Sequence, residues 1–390
     1  MTLAPLASPA PRLLLAPNEF KGTLTARQAA GCLERGLARA IPEARFVLAP
    51  MADGGDGTAR VVVEATTGTW HEAEVADPLG RTIRARFGIT GDGRTAVVEM
   101  ALASGLVLLT PGERNPWITT TRGTGDLIRA VLALGVPRIL VGTGGSATND
   151  GGTGMARALG ARFLDAQGRD LPEGGGELGR LERIDLTGLD PRLAGTTIEV
   201  ASDVGNPLYG LTGAAHVYAG QKGADAAMRA QLDAGLRHLA EVVRRDLGVE
   251  VERLPGAGTA GGLGAGLAAF LGARIQPGGG VVARLISLPE KLAECDLVLT
   301  GEGCLDGQTS FGKAPATVAQ MARAAGRRVI AICGCLSEGA ARSREYGLEA
   351  CFCPVEKLPE GVSLKAAAPG RLERCAEQVG LLLRSGTTPR

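Results

Sequence analysis

Five stretches of the sequence gather carboxylates, hydroxyls and lysines among glycines. They are NEFKGTLTARQ from residue 18, PMADGGDGTAR from 50, VGTGGSATNDGG from 141, EVASDVGNPLYG from 199 and LVLTGEGCLDGQTSFGKAP from 297. In the first, Lys21 and Gly22 stand ahead of a helix start, where unpaired N–H groups and the helix dipole favour an anion. A solvated surface lysine is the plain alternative. In the second, Asp53 and Asp56 flank Gly54 and Gly55 at the end of a strand. Carboxylates crowded at a sheet edge repel one another, so Mg²⁺ binding or proton transfer is the functional reading and a solvated turn the other. The third offers Gly144, Gly145, Ser146 and Thr148 as a loop whose N–H and hydroxyl groups face phosphate or carboxylate oxygens, or as a bare glycine-rich connection. In the fourth, Asp203 ends a strand and Asn206-Pro207 forces a turn. The fifth runs from a buried strand into Gly301, Glu302, Asp306, Gln308, Thr309 and Lys313.

Carboxylates, N–H cradles and lysines without a histidine system or a nucleophile elbow suit phosphoryl transfer, which depends on positioning, charge neutralisation and a base for the attacking hydroxyl. No G-x-x-x-x-G-K-[ST] occurs, which excludes a Walker-type ATPase. The third stretch also contains G-x-G-x-x-A with Asp165 about 20 residues on, as in a dinucleotide fingerprint. Asn149, Asp150, Gly151 and Gly152 would then occupy the first helical turns, where each glycine costs about 1 kcal/mol against alanine. An NAD-dependent hydroxy-acid dehydrogenase is therefore the second enzymatic reading, and a non-catalytic small-acid binder the third.

These groups need a scaffold, and the composition supplies one. The chain has 390 residues, 45% hydrophobic and 21% charged, enough for more than one domain. A net charge of +1 with intermixed signs leaves no electrostatic footprint for nucleic acid or a membrane surface, and an aromatic content of 3% leaves no base-stacking platform. Small molecules and copies of the chain itself, as a possible homo-oligomer, are the expected partners. The start lacks an export signal and no apolar stretch reaches spanning length, so a cytoplasmic protein is expected. The CxC pairs Cys333/Cys335 and Cys351/Cys353 permit a zinc site. Their apolar strand-like surroundings favour reduced cysteines packed as small hydrophobes.

RLLLAP and RFVLAP read as buried strands, with a helix between them over 25 to 41, capped by Thr25 and Gln28. From residue 68 the alternation of WHEAEVADPLGRTIRARF predicts a meander of short strands, followed by helices near 122 to 135 and 225 to 246. A β-α-β rhythm returns at DLVLTGE, with a closing helix near 371 to 384. The layout is α/β: a doubly wound parallel-sheet domain, discontinuous over 1–67 and 288–390, with an α+β domain inserted over 68–287. A cleft between such domains is the default ligand site.

FKGTLTA, PMADGGDGT, TGGSATNDGG, SDVGNPLYG with the following QKGA, GAGTAGGLGAG, and TGEGCLDGQT with GKAP together resemble the ordered motif series of the bacterial glycerate kinase family, which includes the glycerate 2-kinases. The resemblance spans nearly the whole chain. It implies ATP- and Mg²⁺-dependent phosphorylation of D-glycerate, most simply to 2-phosphoglycerate, and a flavodoxin-like domain carrying an inserted one. Joined to the reading of the residues, it suggests Asp203, Lys21 and Asp53 as catalytic groups and Asp306 and Glu302 as metal ligands. Gly22, Gly54, Gly55, Gly144, Gly145, Ser146, Thr148, Asn206, Lys222, Gly301, Gln308 and Lys313 would hold substrate or phosphate. Two positions depart from the pattern: Asn18-Glu19 replaces Asp-Ser, and Cys304 stands where arginine is common.

Overall fold

The computed structural model describes residues 10–305, 313–358 and 360–385. The chain forms two compact units, Met1–Asp53 with Gly279–Arg390, and Gly54–Gly278.

In the first unit, strands Arg12–Pro17, Arg45–Leu48, Leu297–Gly301, Arg328–Ile332 and Ala350–Phe352 make one sheet. Every pairing is parallel. Numbered along the chain, the strands lie side by side as 2-1-3-4-5. Leu13, Leu14 and Leu15 are all 0% exposed, as in a parallel strand covered on both faces, which explains an apolar run without alternation. Helix Ala26–Ala40 begins with the expected capping box, in which the Gln28 N–H donates to Thr25 Oγ1 and the Thr25 N–H to Gln28 Oε1. It packs on helix Leu364–Ser385 so closely that a Cβ on Gly36 would lie 2.2 Å from the Glu373 carbonyl oxygen. This closing helix starts seven residues earlier than the sequence suggested and runs through Pro369. The proline forfeits one hydrogen bond, to the Lys365 carbonyl, and does not end the helix.

The cysteines differ from expectation as well. Cys333 is a fully buried free thiol, but Cys304 and Cys335 form a disulfide. They are register partners in a two-residue parallel ladder, with Cα atoms 4.6 Å apart, and no local sequence pattern could announce that pairing. Among the described residues no group of three or more His, Cys, Asp or Glu side chains is placed to hold a metal ion.

The second unit has a six-stranded sheet in the order Arg274–Pro277, Thr197–Ser202, Arg138–Gly142, Thr95–Glu99, Thr82–Ile89, Thr69–Ala76. The first four strands are parallel and the last two add on antiparallel, so the expected meander forms one edge of a mixed sheet. Burial follows this arrangement: Thr95–Glu99 is buried throughout, whereas the outer hairpin exposes alternate residues. Helix Thr58–Ala65 packs within this unit. A Cβ on Gly88 would lie 2.2 Å from Val63 Cγ2, and the unit begins at Gly54 where the sequence alone suggests a start near residue 68. Among the described residues no helix is long and apolar enough to cross a membrane.

Candidate functional site

Parallel strands deliver the residues that follow them to one edge of a sheet. In the first unit this edge is organised by Asn18. Its backbone N–H donates to the Gly301 carbonyl at 2.8 Å and its amide Nδ2 to Asp53 Oδ2 at 2.9 Å. An aspartate at position 18 would instead set two carboxylates against each other. Asp53 Oδ2 also lies 3.5 Å from the N–H of Ala314, the first residue of helix Ala314–Ala324, where the dipole favours negative charge. Lys313 is the residue preceding that helix. Glu302 follows the central strand and is 6% exposed. A Cβ on Gly301 would come within 1.9 Å of the Ile332 carbonyl oxygen, so only glycine fits there. Lys21 is exposed in the turn closed by Phe20 and Leu24, with Gly22 at φ +77°, and its backbone lies beside Gly303. Asn18, Lys21, Asp53, Glu302 and Lys313 thus share one edge of this unit. Asp306 and Gln308 lie outside the described residues.

In the second unit, loops meet at the corresponding edge with almost no side chain between them. A Cβ on Gly54 would lie 2.3 Å from the Ala201 carbonyl oxygen, and one on Gly144 would lie 2.7 Å from Gly55 Cα. The Gly144 N–H donates to the Gly54 carbonyl, and Asp56 Oδ1 lies 3.0 Å from where a Gly145 Cβ would be. Ser146 and Thr148 are buried in the same loop. Thr143 Oγ1 shares a 2.8 Å hydrogen bond with Thr259 Oγ1, tying the loop to the start of helix Thr259–Leu271. Asp203 follows strand Thr197–Ser202. Nearby, the Tyr218 hydroxyl donates to Asn206 Oδ1 at 2.7 Å and Asn206 Nδ2 donates to the Thr212 carbonyl at 2.8 Å. Burial chiefly, and then the charge of Asp203, raise the Tyr218 pKa, so its hydroxyl stays a donor.

The start of that last helix is wound the wrong way. Ala260, Gly261 and Gly262 have φ values of 52°, 70° and 91°. A Cβ on Gly261 would lie 2.0 Å from the Thr148 carbonyl oxygen, so close packing against the 148–152 loop imposes the turn and strains Ala260. Ala260→Gly is expected to stabilise the protein by about 1 kcal/mol. Gly261→Ala is expected to destabilise it by about 3 kcal/mol, through forced displacement of packed backbone. Urea unfolding of both variants checks the pair. Equal effects would mean that the left-handed turn carries no strain.

Sequence reasoning missed Glu99 and Asp150 here, and it named Lys222 as a substrate- or phosphate-holding residue without its burial. Glu99 is 7% exposed and its carboxylate accepts from the N–H groups of Ala59, at 2.7 Å, and Gly57, at 3.2 Å. It therefore anchors the loop carrying Asp56 to the start of helix Thr58–Ala65, while burial raises its pKa against those donors. Asp150 is fully buried and accepts from the Thr121 N–H and hydroxyl and from the N–H groups of Gly152 and Gly154. Lys222 is 1% exposed and donates to the Thr148 carbonyl at 2.6 Å. Burial, opposed by the charge of Asp150, brings its pKa down to about 7. The folded state therefore binds this proton more weakly than the unfolded chain does, and the resulting penalty is full below pH 7 and fades as pH rises towards the ordinary lysine value. Measured against Lys222→Met, wild-type stability is expected to improve between pH 7 and pH 10. A pH-independent difference would show that Lys222 titrates normally.

Glycine-lined cradles, carboxylates and lysines at strand ends match the arrangement expected for a phosphotransferase, and comparison with known proteins decides the family. The model of the glycerate kinase family matches residues 13–384. The chain belongs to that family. It is 46% identical over 341 residues to the glycerate 2-kinase of Escherichia coli (strain K12), covering 87% of this chain and 90% of that one. It is 45% identical over 370 residues to a glycerate kinase of Halalkalibacterium halodurans, covering 95% and 97%. A crystal structure of a Salmonella typhimurium LT2 protein assigned as glycerate kinase 2 superposes with a TM-score of 0.86 at 43% identity, covering 97% of this chain and 99% of that one. The chain is accordingly an enzyme, a kinase that phosphorylates glycerate.

Proposed function

We propose that the enzyme transfers the γ-phosphate of ATP to the 2-hydroxyl of D-glycerate, giving 2-phosphoglycerate. The observation that carries this reading is the 46% identity to a protein named glycerate 2-kinase, together with carboxylates and glycine loops at strand ends. The 2-1-3-4-5 order of the first unit is read as flavodoxin-like, the two ends of the chain forming a discontinuous domain around an inserted one.

The residues of the first unit fit Mg²⁺. Asp53, bonded to the Asn18 amide, and Glu302, the residue after the Gly301 whose carbonyl accepts from the Asn18 N–H, are hard oxygen donors, and Mg²⁺ is usually bound by one or two carboxylates plus substrate phosphates, not by a closed protein cage. Glu302 and Asp306 would hold the ion, which when bound neutralises charge on the β- and γ-phosphates. Lys21 neutralises further anionic charge. In the second unit Asp203 accepts the proton of the substrate hydroxyl, and Gly55, Gly145 and Ser146 present N–H and hydroxyl donors to anionic oxygens, while Gly54 and Gly144, whose N–H groups donate to Thr58 Oγ1 and the Gly54 carbonyl, let the loops approach. Such work suits the cytoplasm.

The test is ADP release in a coupled assay. It is expected to depend on D-glycerate and to stop in excess chelator. ADP release without glycerate, or undiminished turnover with chelator, contradicts the reading.

A further inference from the structure

The buried polar groups of the second unit do not balance. Thr148 Oγ1 and both amide atoms of Asn149 are buried without a hydrogen-bond partner, although each residue is 0% exposed. The Nε of Arg114 is buried and unpaired as well. Lys222, 1% exposed, has three ammonium hydrogens to place and donates to the Thr148 carbonyl. Native proteins rarely leave such groups unsatisfied, and each instance asks for a missing partner.

These four residues belong to one neighbourhood. Lys222 reaches Thr148, and Asn149 is the next residue along that loop. A Cβ on Gly223, which follows Lys222, would lie 2.2 Å from the Arg114 carbonyl oxygen and 3.2 Å from Arg114 Cβ. A Cβ on Gly175 would lie 2.6 Å from the Asn149 carbonyl oxygen and 3.0 Å from that of Pro116, joining the 114–116 segment to Asn149 from the other side. The carboxylate in this neighbourhood, Asp150, is already taken by the two Thr121 donors and the N–H groups of Gly152 and Gly154. Those neutral donors leave the Asp150 charge in place, so the neighbourhood sets two cations beside this one carboxylate, with a hydroxyl and an amide unpaired and donors in excess. Water could satisfy the hydrogen bonds but would not neutralise the charge.

We propose that Arg114 and Asn149, together with Thr148 and Lys222, form a binding site for a substrate oxyanion, the carboxylate of glycerate or a phosphate of the nucleotide. The assignment rests on the phosphoryl-transfer reading, which brings both anions to this enzyme. It adds Arg114 and Asn149, which the sequence did not single out as ligands, and gives buried Lys222 a partner. An anion in this site also raises the Lys222 pKa from its depressed value of about 7, so ligand binding and protonation of this lysine reinforce each other.

Two variants of the full-length enzyme test the site, Arg114→Met and Asn149→Asp, the second placing a like charge against the anion. KM is measured for D-glycerate and for ATP, and the midpoint of thermal unfolding is recorded with and without each compound. At least a tenfold rise in one KM is expected for Arg114→Met, with a smaller thermal shift by the same compound. A rise for D-glycerate assigns the carboxylate, and a rise for ATP assigns the phosphate. Asn149→Asp is expected to have at least as large an effect. Should it fail to fold, Arg114→Met decides alone, because Arg114 is only half-buried. Wild-type KM values and thermal shifts in Arg114→Met would overturn the proposal. Turnover by the wild-type enzyme is the separate control: its absence would overturn the reaction and leave the ligand-induced thermal shifts to judge the site.

Discussion

Asp203→Asn is expected to lower kcat by about two to four orders of magnitude, the usual worth of a positioned general base. The amide keeps the size and polarity of the carboxylate but cannot take a proton. Asp203 follows a strand whose neighbours also end in polar loop residues, and its charge is felt by Tyr218, which holds Asn206. The folded state should therefore survive the change, and KM for both substrates should move little, because the lost interaction develops in the transition state. The Mg²⁺ concentration needed for half-maximal rate should also stay as it is. Asp306→Asn should behave in the opposite way and raise that concentration. Titrating kcat against Mg²⁺ for both variants separates the roles, and an Asp203→Asn enzyme with wild-type kcat would remove Asp203 as the base.

Lys21→Met should lower kcat/KM by about two to three orders of magnitude, as when one preorganised charge-stabilising donor is lost. Lys21 is exposed in a tight turn, so the substitution removes charge and almost nothing else, and a stability change beyond about 0.5 kcal/mol is not expected. Steady-state kinetics combined with urea unfolding make the distinction. A near-normal kcat/KM would make Lys21 an ordinary surface residue.

Much of the scaffold was legible because its signals are local. The Thr25–Gln28 capping box, the apolar run of Leu13 to Leu15 and the alternation in Thr69–Ala76 each state their structure within a few residues. Parallel strands made the edge legible too, since glycine and carboxylate clusters directly after apolar runs must fall at carboxyl ends. What escaped depends on contacts between distant residues. Asn18 and Asp53 meet across 35 positions, and Glu99 is a single acid at the end of an apolar strand whose partners lie 40 and 42 residues earlier. Lys222 is named through QKGA as a substrate- or phosphate-holding residue, but only the fold shows that its ammonium is buried against Thr148. Arg114 belongs to an irregular segment with no periodicity to mark it. Cys304 and Cys335 pair because two short strands happen to be in register, and helix Leu364–Ser385 tolerates a proline that local rules place at a helix boundary.

The central claim is the transfer of phosphate from ATP to the 2-hydroxyl of D-glycerate. Phosphorus NMR of the reaction mixture, with proton coupling resolved, tests it most directly. 2-Phosphoglycerate carries its phosphate on the oxygen of a carbon bearing one hydrogen and should give a doublet through P–O–C–H coupling, growing as the γ-phosphate signal of ATP falls. A triplet from 3-phosphoglycerate would contradict the position, and an unchanged ATP spectrum would contradict the reaction.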